Sequence, residues 1–214
     1  MSRTATVKQG YTRGARRIAS RSIVGLARTR VTPNALTASG VSLCALASVL
    51  VFFEDRSPLL FYWLGALVFV AGSLLDILDG ALARETGKGT PFGAFLDSTT
   101  DRVSEGFMLG AIALVLARHD HTVALAFTFA AVGGSFLVSY TRARAEALGL
   151  RGDVGLGSRA ERVVVITAGL VLAPWGVLPW AIYLLAATSW LTVVQRILHV
   201  RAQILGGDHG FDKR

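Results

Sequence analysis

Apolar residues run along this chain in long blocks, and short polar breaks divide them. The first block spans about 33–53 and stops at Glu54-Asp55-Arg56-Ser57. The second spans 58–84 and breaks at Gly87-Lys88-Gly89. The third starts at Pro91, ends near Ala117, and is closed by Arg118-His119-Asp120-His121. The fourth spans about 123–148 and gives way to a polar loop at 149–158. The fifth spans about 159–173 and the sixth about 181–200. Between these two, the stretch 174–180 reads as a tight turn with two tryptophans suited to a membrane interface. Apolar runs of about 17–25 residues cross a bilayer as helices. The pattern predicts an all-α, six-transmembrane-helix integral membrane protein.

Composition agrees with that pattern. Hydrophobic residues make up 52% of the chain and charged ones only 17%, against about a quarter charged in a soluble domain. The net charge of +8 is unevenly placed. Residues 1–31 contain no Asp or Glu but hold Arg3, Lys8, Arg13, Arg16, Arg17, Arg21, Arg28 and Arg30. Within them Val7, Tyr11, Ala15, Ile18, Ile23, Leu26 and Ala27 approximate a helical stripe. An N-terminal amphipathic juxtamembrane helix on an anionic leaflet follows; a solvated basic arm is the alternative. Nucleic acid is a poor partner for this basic stretch, because the rest of the chain is membrane-like.

The organisation expected is a basic juxtamembrane segment at 1–31, a six-span domain at 32–203 and a polar tail at 204–214. No signal peptide is expected, since the first apolar run comes late and lacks a small-residue cleavage site. Basic residues concentrate on one side of the six-span arrangement, while Arg56 and Arg118 alone mark the other. The positive-inside rule then puts both termini in the cytoplasm of a multi-pass plasma-membrane protein. Cys44, the only cysteine, allows no intramolecular disulfide and reads as a small packing residue. His119 and His121 read as exposed loop residues.

The chemistry concentrates between Asp76 and Asp101. Asp76 and Asp79 are three residues apart on one helix, and Asp97 and Asp101 four apart on the next. Both spacings put a pair on one helical face. A charge at the centre of a span costs about 2.5–3.5 kcal/mol, less towards the ends, and four facing carboxylates repel. Pairing with Arg84, Lys88 and Arg102 would relieve one aspartate more readily than four. Divalent cations answer the set, and oxygen ligands without His or Cys favour magnesium, manganese or calcium. Four carboxylates have room for two ions, as in sites that clamp both oxygens of a phosphoryl displacement. Gly80, Ala81, Ala83, Gly93 and Ala94 beside them leave backbone open to a ligand. Thr32-Pro33 and Thr90-Pro91 each place a hydroxyl cap before a proline at a helix start. Such starts suit a phosphate, although plain capping explains them equally.

Asp76-x2-Asp79-Gly80-x2-Ala83-Arg84-x8-Gly93-x3-Asp97-x3-Asp101 resembles the signature of the CDP-alcohol phosphotransferases at every fixed position. The resemblance implies transfer of a phosphatidyl group from CDP-diacylglycerol to an alcohol, with release of CMP. It implies that Asp76, Asp79 and Asp97 are metal ligands for two Mg2+ or Mn2+ ions. Asp101 then both touches metal and acts as general base. Gly80, Arg84 and Thr90 belong to the CDP-lipid pocket, joined by Thr32, Pro33, Asn34 and Ala35. A homodimer among membrane lipids is implied as well.

A second basic cluster contains Arg142, Arg144, Arg151, Arg159, Arg162 and Arg196. Converging arginines suit a phosphorylated acceptor, although loop charge accounts for part of the cluster. The stretch from Ser139, SYTRARAEALGLRGDVGLGSRAERVVV, is similar to the bacterial phosphatidylinositol phosphate synthases, as are 97–102 and 194–196. That likeness implies inositol 1-phosphate as acceptor, with Arg142, Arg162 and Arg196 on its phosphate. The chain departs from the pattern at Arg142, where lysine is expected. Glycerol 3-phosphate is the alternative acceptor. A membrane prenyltransferase and a cation transporter are the alternative classes. Six spans are few for the first, and the one-sided clustering of the acids disfavours the second.

Overall fold

The structure, a computed structural model, describes residues 32–87, 89–155 and 157–206, with the backbone alone at 84–86. The expected N-terminal amphipathic helix, Lys88, the Arg84 side chain and residues 207–214 of the tail lie outside the described set. Among the described residues there are six α-helices and no strand. They are α1 (Pro33–Phe52), α2 (Pro58–Thr86), α3 (Pro91–Arg118), α4 (Thr122–Ala147), α5 (Arg159–Val171) and α6 (Leu178–Leu205). Single 3-10 turns occupy Glu54–Arg56 and Ala173–Trp175.

The apolar blocks located the helices, and the polar breaks located their ends. The junction at 174–180 differs from the expected turn. Gly176 turns the chain in a left-handed conformation (φ 78°), and α6 then starts at Leu178 with Pro179 in its first turn. A proline there loses no hydrogen bond, because the first helical N–H groups have no partner in the helix. Trp180 therefore stands on the helix, 70% exposed.

Among the described residues four helices are long and apolar enough to cross a membrane: 33–52, 58–83, 122–147 and 178–205. The other two depart from the six-span pattern for separate reasons. At about 1.5 Å per residue, α3 with its 28 residues has ample length, but Asp97, Asp101, Arg102 and Glu105 interrupt its N-terminal part. The 13-residue α5 reaches about 20 Å, short of a hydrocarbon core of about 30 Å. Large apolar side chains stand exposed on the long helices, among them Leu60, Leu67, Phe129 and Leu184, as expected where lipid is the solvent.

The chain divides into two compact units. One holds the chain up to Cys44 with Ala71–Ser104; the other holds Ala45–Val70 and the chain from Glu105 onward. In the first, glycines set the approach of α1 to α2. A Cβ on Gly72 would lie 2.8 Å from both the Gly40 carbonyl oxygen and Cys44 Sγ. Cys44 is thus a small packing residue, 1% exposed. Beside the crossing, buried Leu36 and Leu82 pack with Leu75, Leu78 and Ala81.

In the second unit Met108, Leu109, Ile112 and Leu116 of α3 are fully buried, as are Leu170 of α5 and Ile182 and Leu185 of α6. Gly134 of α4 lies against Ser189 of α6, where a Cβ would approach Ser189 Cβ to 2.9 Å, and Trp190 Nε1 donates to the Ala130 carbonyl at 2.9 Å. Glu54, 1% exposed, is answered by Arg118 at 3.3 Å and by His119 Nε2 at 2.9 Å. His119 is therefore more than the exposed loop residue expected from sequence. A buried carboxylate requires partners, and the polar break after α3 supplies them.

Candidate active site

Asp76 and Asp79 sit on α2, and Asp97 and Asp101 on α3. Helical spacing brings each pair to one face, and the packing of the first unit brings three of the four together. One carboxylate oxygen from each of Asp76, Asp97 and Asp101 lies within 4.8 Å of the others. Asp76 is buried, and the other two are half-buried. Arg102 Nη1 stands 3.6 Å from Asp101 Oδ2, which adds positive charge at one edge.

Asp79 stands outside this three-carboxylate group. It is 2% exposed, and the buried Thr37 hydroxyl of α1 donates to its Oδ2. That hydroxyl also lies 3.1 Å from the Pro33 carbonyl oxygen, so one proton serves two acceptors. Asp79 Oδ1 is buried with no hydrogen-bond partner among the described residues. Thr37 was missed from sequence. Its signal was its place one turn beyond Pro33, on a face that only the α1–α2 contact reveals.

A cavity of about 230 Å³ adjoins these acids, with Asp79 and Asp97 in its wall. The starts of α1 and α3 both border it. Thr32 Oγ1 accepts from the Ala35 N–H at 3.2 Å, and Thr90 Oγ1 from the Gly93 N–H at 2.9 Å. Both capped starts read from sequence are therefore present, and their positive dipole ends suit an anion. Of the residues named for the CDP-lipid pocket, Pro33, Asn34, Gly80 and Thr90 line the cavity, whereas Thr32 and Ala35 do not. Thr37, Ala83, Gly89, Gly93 and Ala94 complete the wall. A Cβ at Gly93 would come within 3.1 Å of Thr90 Oγ1, so that hydroxyl would have to shift.

The second unit gathers the three predicted arginines. Arg142 and Arg162 both act electrostatically on Arg196, offset by Glu146 and Asp153. Arg142 Nε reaches Glu146 at 2.8 Å in an exposed pair. The Arg162 side chain is 5% exposed and meets Glu105 in a two-point fork: Nε to Oε1 at 2.7 Å and Nη2 to Oε2 at 2.9 Å. Its Nη1 donates to the Gly157 carbonyl at 2.7 Å. Arg196 donates through Nε to the Val154 carbonyl at 2.8 Å and through Nη1 to the Val138 carbonyl. Both guanidinium groups thus hold carbonyls of the loop between α4 and α5.

Other contacts tie the same loop to α6. Gln203 accepts from the Arg151 N–H at 2.9 Å and donates to its carbonyl at 2.8 Å. The Gly157 N–H donates to Thr192 Oγ1 at 2.8 Å. Gly155 has φ 116°, and a Cβ there would meet Thr192 Cγ2 at 2.4 Å. A capping box then starts α5, with Ser158 and Glu161 bonding each other's backbone. Glu105, Thr192 and Gln203 carried no signal in the sequence beyond being polar residues in apolar helices.

Residues 30–198 match the CDP-alcohol phosphatidyltransferase family. The chain is 37% identical over 181 residues to an archaetidylinositol phosphate synthase of Pyrococcus horikoshii, covering 84% of this chain and 88% of the relative. It is 39% identical over 184 residues to a phosphatidylinositol phosphate synthase of Mycobacterium marinum, covering 82% and 76%. A crystal structure of Mycobacterium tuberculosis phosphatidylinositol phosphate synthase with CDP-DAG bound superposes with a TM-score of 0.75 at 36% identity, covering 86% of this chain and 94% of that one. A second structure of that enzyme, in complex with manganese and citrate, gives the same TM-score and identity, covering 86% and 88%.

Proposed function

Because the chain belongs to the CDP-alcohol phosphatidyltransferase family, we propose that it transfers a phosphatidyl group from CDP-diacylglycerol to a hydroxyl of inositol 1-phosphate, giving phosphatidylinositol phosphate and CMP. The observation that carries this reading is the gathering of Asp76, Asp97 and Asp101 within 4.8 Å, next to a cavity walled by Asp79 and Asp97. The acceptor rests on the second unit's arginines and on the two relatives. Their names differ in the lipid but share an inositol phosphate product.

The donor set fits divalent metal. Three clustered carboxylates and the buried Asp79 Oδ1, which has no hydrogen-bond partner among the described residues, are hard oxygen donors. Asp76, Asp97 and Asp101 would hold one Mg2+ or Mn2+ ion, and Asp79 with its neighbours a second. When bound, such ions neutralise diphosphate charge as the leaving CMP gains it. The cavity takes the cytidine diphosphate, with the starts of α1 and α3 facing its phosphates and Arg84 joining them. Asp101 accepts the proton of the acceptor hydroxyl. The acceptor oxygen bonds to the lipid-side phosphorus, and the bond from that phosphorus to the CMP oxygen breaks. Arg142, Arg162 and Arg196 hold the acceptor's own phosphate.

This reading includes six spans, with α3 and α5 crossing beside the four long apolar helices. It includes a homodimer, and places both termini and the site on the cytoplasmic side. An acceptor screen tests the activity. Purified protein with Mn2+ or Mg2+ and CDP-diacylglycerol should release CMP with inositol 1-phosphate well above free inositol or glycerol 3-phosphate. Preference for glycerol 3-phosphate would replace the acceptor and keep the reaction.

A further inference from the structure

We propose that Glu105 is a positioning residue for acceptor recognition: its carboxylate fixes the Arg162 guanidinium, so that Arg162 supplies direction, and Arg142 and Arg196 supply charge. The inference rests on the acceptor reading above. Its observation is the buried fork, 2.7 and 2.9 Å, between two side chains that are 10% and 5% exposed.

The donors of Arg162 can be counted. A guanidinium has five N–H groups. Glu105 takes one from Nε and one from Nη2, and Gly157 takes one from Nη1. One N–H on Nη1 and one on Nη2 remain. Both lie on nitrogens whose plane and rotation are already set by three bonds. A phosphate reaching them meets a rigid pair of donors whose ordering cost has been met beforehand.

The charge of Arg162 is already answered, since a two-point carboxylate at this distance forms a charge-assisted pair. Arg196 has no carboxylate within hydrogen-bond distance among the described residues. Its two bonds go to the neutral carbonyls of Val138 and Val154. Among the described residues Arg142 pairs with Glu146, in an exposed contact that water and salt weaken. The charge of these two arginines is thus less committed than that of Arg162 and is free to balance a phosphate dianion.

Among the described residues, Glu105 is the carboxylate that Arg162 meets. The near neighbour Glu161 is committed to the capping box, where it accepts from the Ser158 N–H at 2.7 Å. Without Glu105 a buried guanidinium would lack its partner, swing from the Gly157 carbonyl and loosen the loop that Arg196 also grips. Glutamine at this place has one acceptor oxygen, and its amide N–H groups oppose those of Arg162.

The test measures kcat and KM for inositol 1-phosphate and for CDP-diacylglycerol in Glu105→Gln, Glu105→Asp and Arg162→Ala, with inorganic phosphate as a competitive probe. Glu105→Gln should raise the KM for inositol 1-phosphate and the inhibition constant of phosphate about tenfold or more, with kcat and the CDP-diacylglycerol KM within about twofold. Glu105→Asp, which keeps the charge, should recover part of the loss. Glu105→Gln added to Arg162→Ala should not raise the acceptor KM further, because Glu105 acts through Arg162. An unchanged acceptor KM in Glu105→Gln, or an equal loss for both substrates, overturns the proposal. Should Glu105→Gln not accumulate in the membrane, an unchanged acceptor KM in Glu105→Asp overturns it alone. If Arg162→Ala raises the acceptor KM and Glu105→Gln does not, only the positioning role falls. If neither does, the acceptor reading at Arg162 falls with it.

Discussion

Asp79 and Asp101 belong to one motif but meet different surroundings. Asp79 is buried and held by Thr37, whereas Asp101 is half-buried at the edge of the carboxylate cluster beside Arg102. A proton acceptor must be reached by its substrate, and a ligand must be held still; the proposed base role of Asp101 and ligand role of Asp79 accord with this difference in exposure. Asp101→Asn should lower kcat by about 10²- to 10⁴-fold while CDP-diacylglycerol still binds; near-normal turnover would take the base role from Asp101. Thr37→Val keeps the shape and removes the donor to Asp79. Changes in such supporting contacts cost metal affinity about 10- to 100-fold, and calorimetric titration with Mn2+ should show a loss in that range. Unaltered titration would mean that Thr37 serves only packing. The four aspartates were legible from spacing. Thr37 was not, because its hydroxyl gains a role only where α1 crosses α2.

At the scale of elements, the crossing of α1 and α2 is set by Gly40 and Gly72 and places Thr37 on Asp79. Gly72→Ala would push a methyl group to within 2.8 Å of the Gly40 carbonyl. Overpacking of this kind costs about 1–3 kcal/mol, read as a lower unfolding temperature in detergent. An undiminished unfolding temperature would show that the crossing yields without loss. Helix positions were legible because lipid-facing helices are apolar over their whole length and polar breaks are short. The start of α6 was misplaced, since proline and tryptophan also mark turns, and only the helix itself shows that Pro179 occupies its first turn. The tether of the α4–α5 loop was not legible either. Gly155, Gly157, Thr192 and Gln203 are far apart in the chain, and nothing in their types declares that they meet.

For the whole molecule, the proposed six-span arrangement makes a directional prediction. In a Cys44→Ala background, a cysteine at His121 should react with an impermeant maleimide added to intact cells, and a cysteine at Asp153 only after the membrane is opened. Labelling of both from outside would break the topology, and labelling at the Asp153 position alone would reverse it. The sequence by itself determined that the chain is helical and membrane-embedded, because a bilayer demands long apolar helices. It also singled out four acids at the ends of apolar spans, where a charge is costly, and their motif is the one whose resemblance implied CDP-lipid transfer. Only the tertiary structure decided that Asp76, Asp97 and Asp101 form the close group, that Asp79 faces the cavity under Thr37, and that Arg162 is held by Glu105. The physical reason is the same in each case. A helix dictates which residues share its own face, while the partner a face meets depends on where small residues let other helices approach.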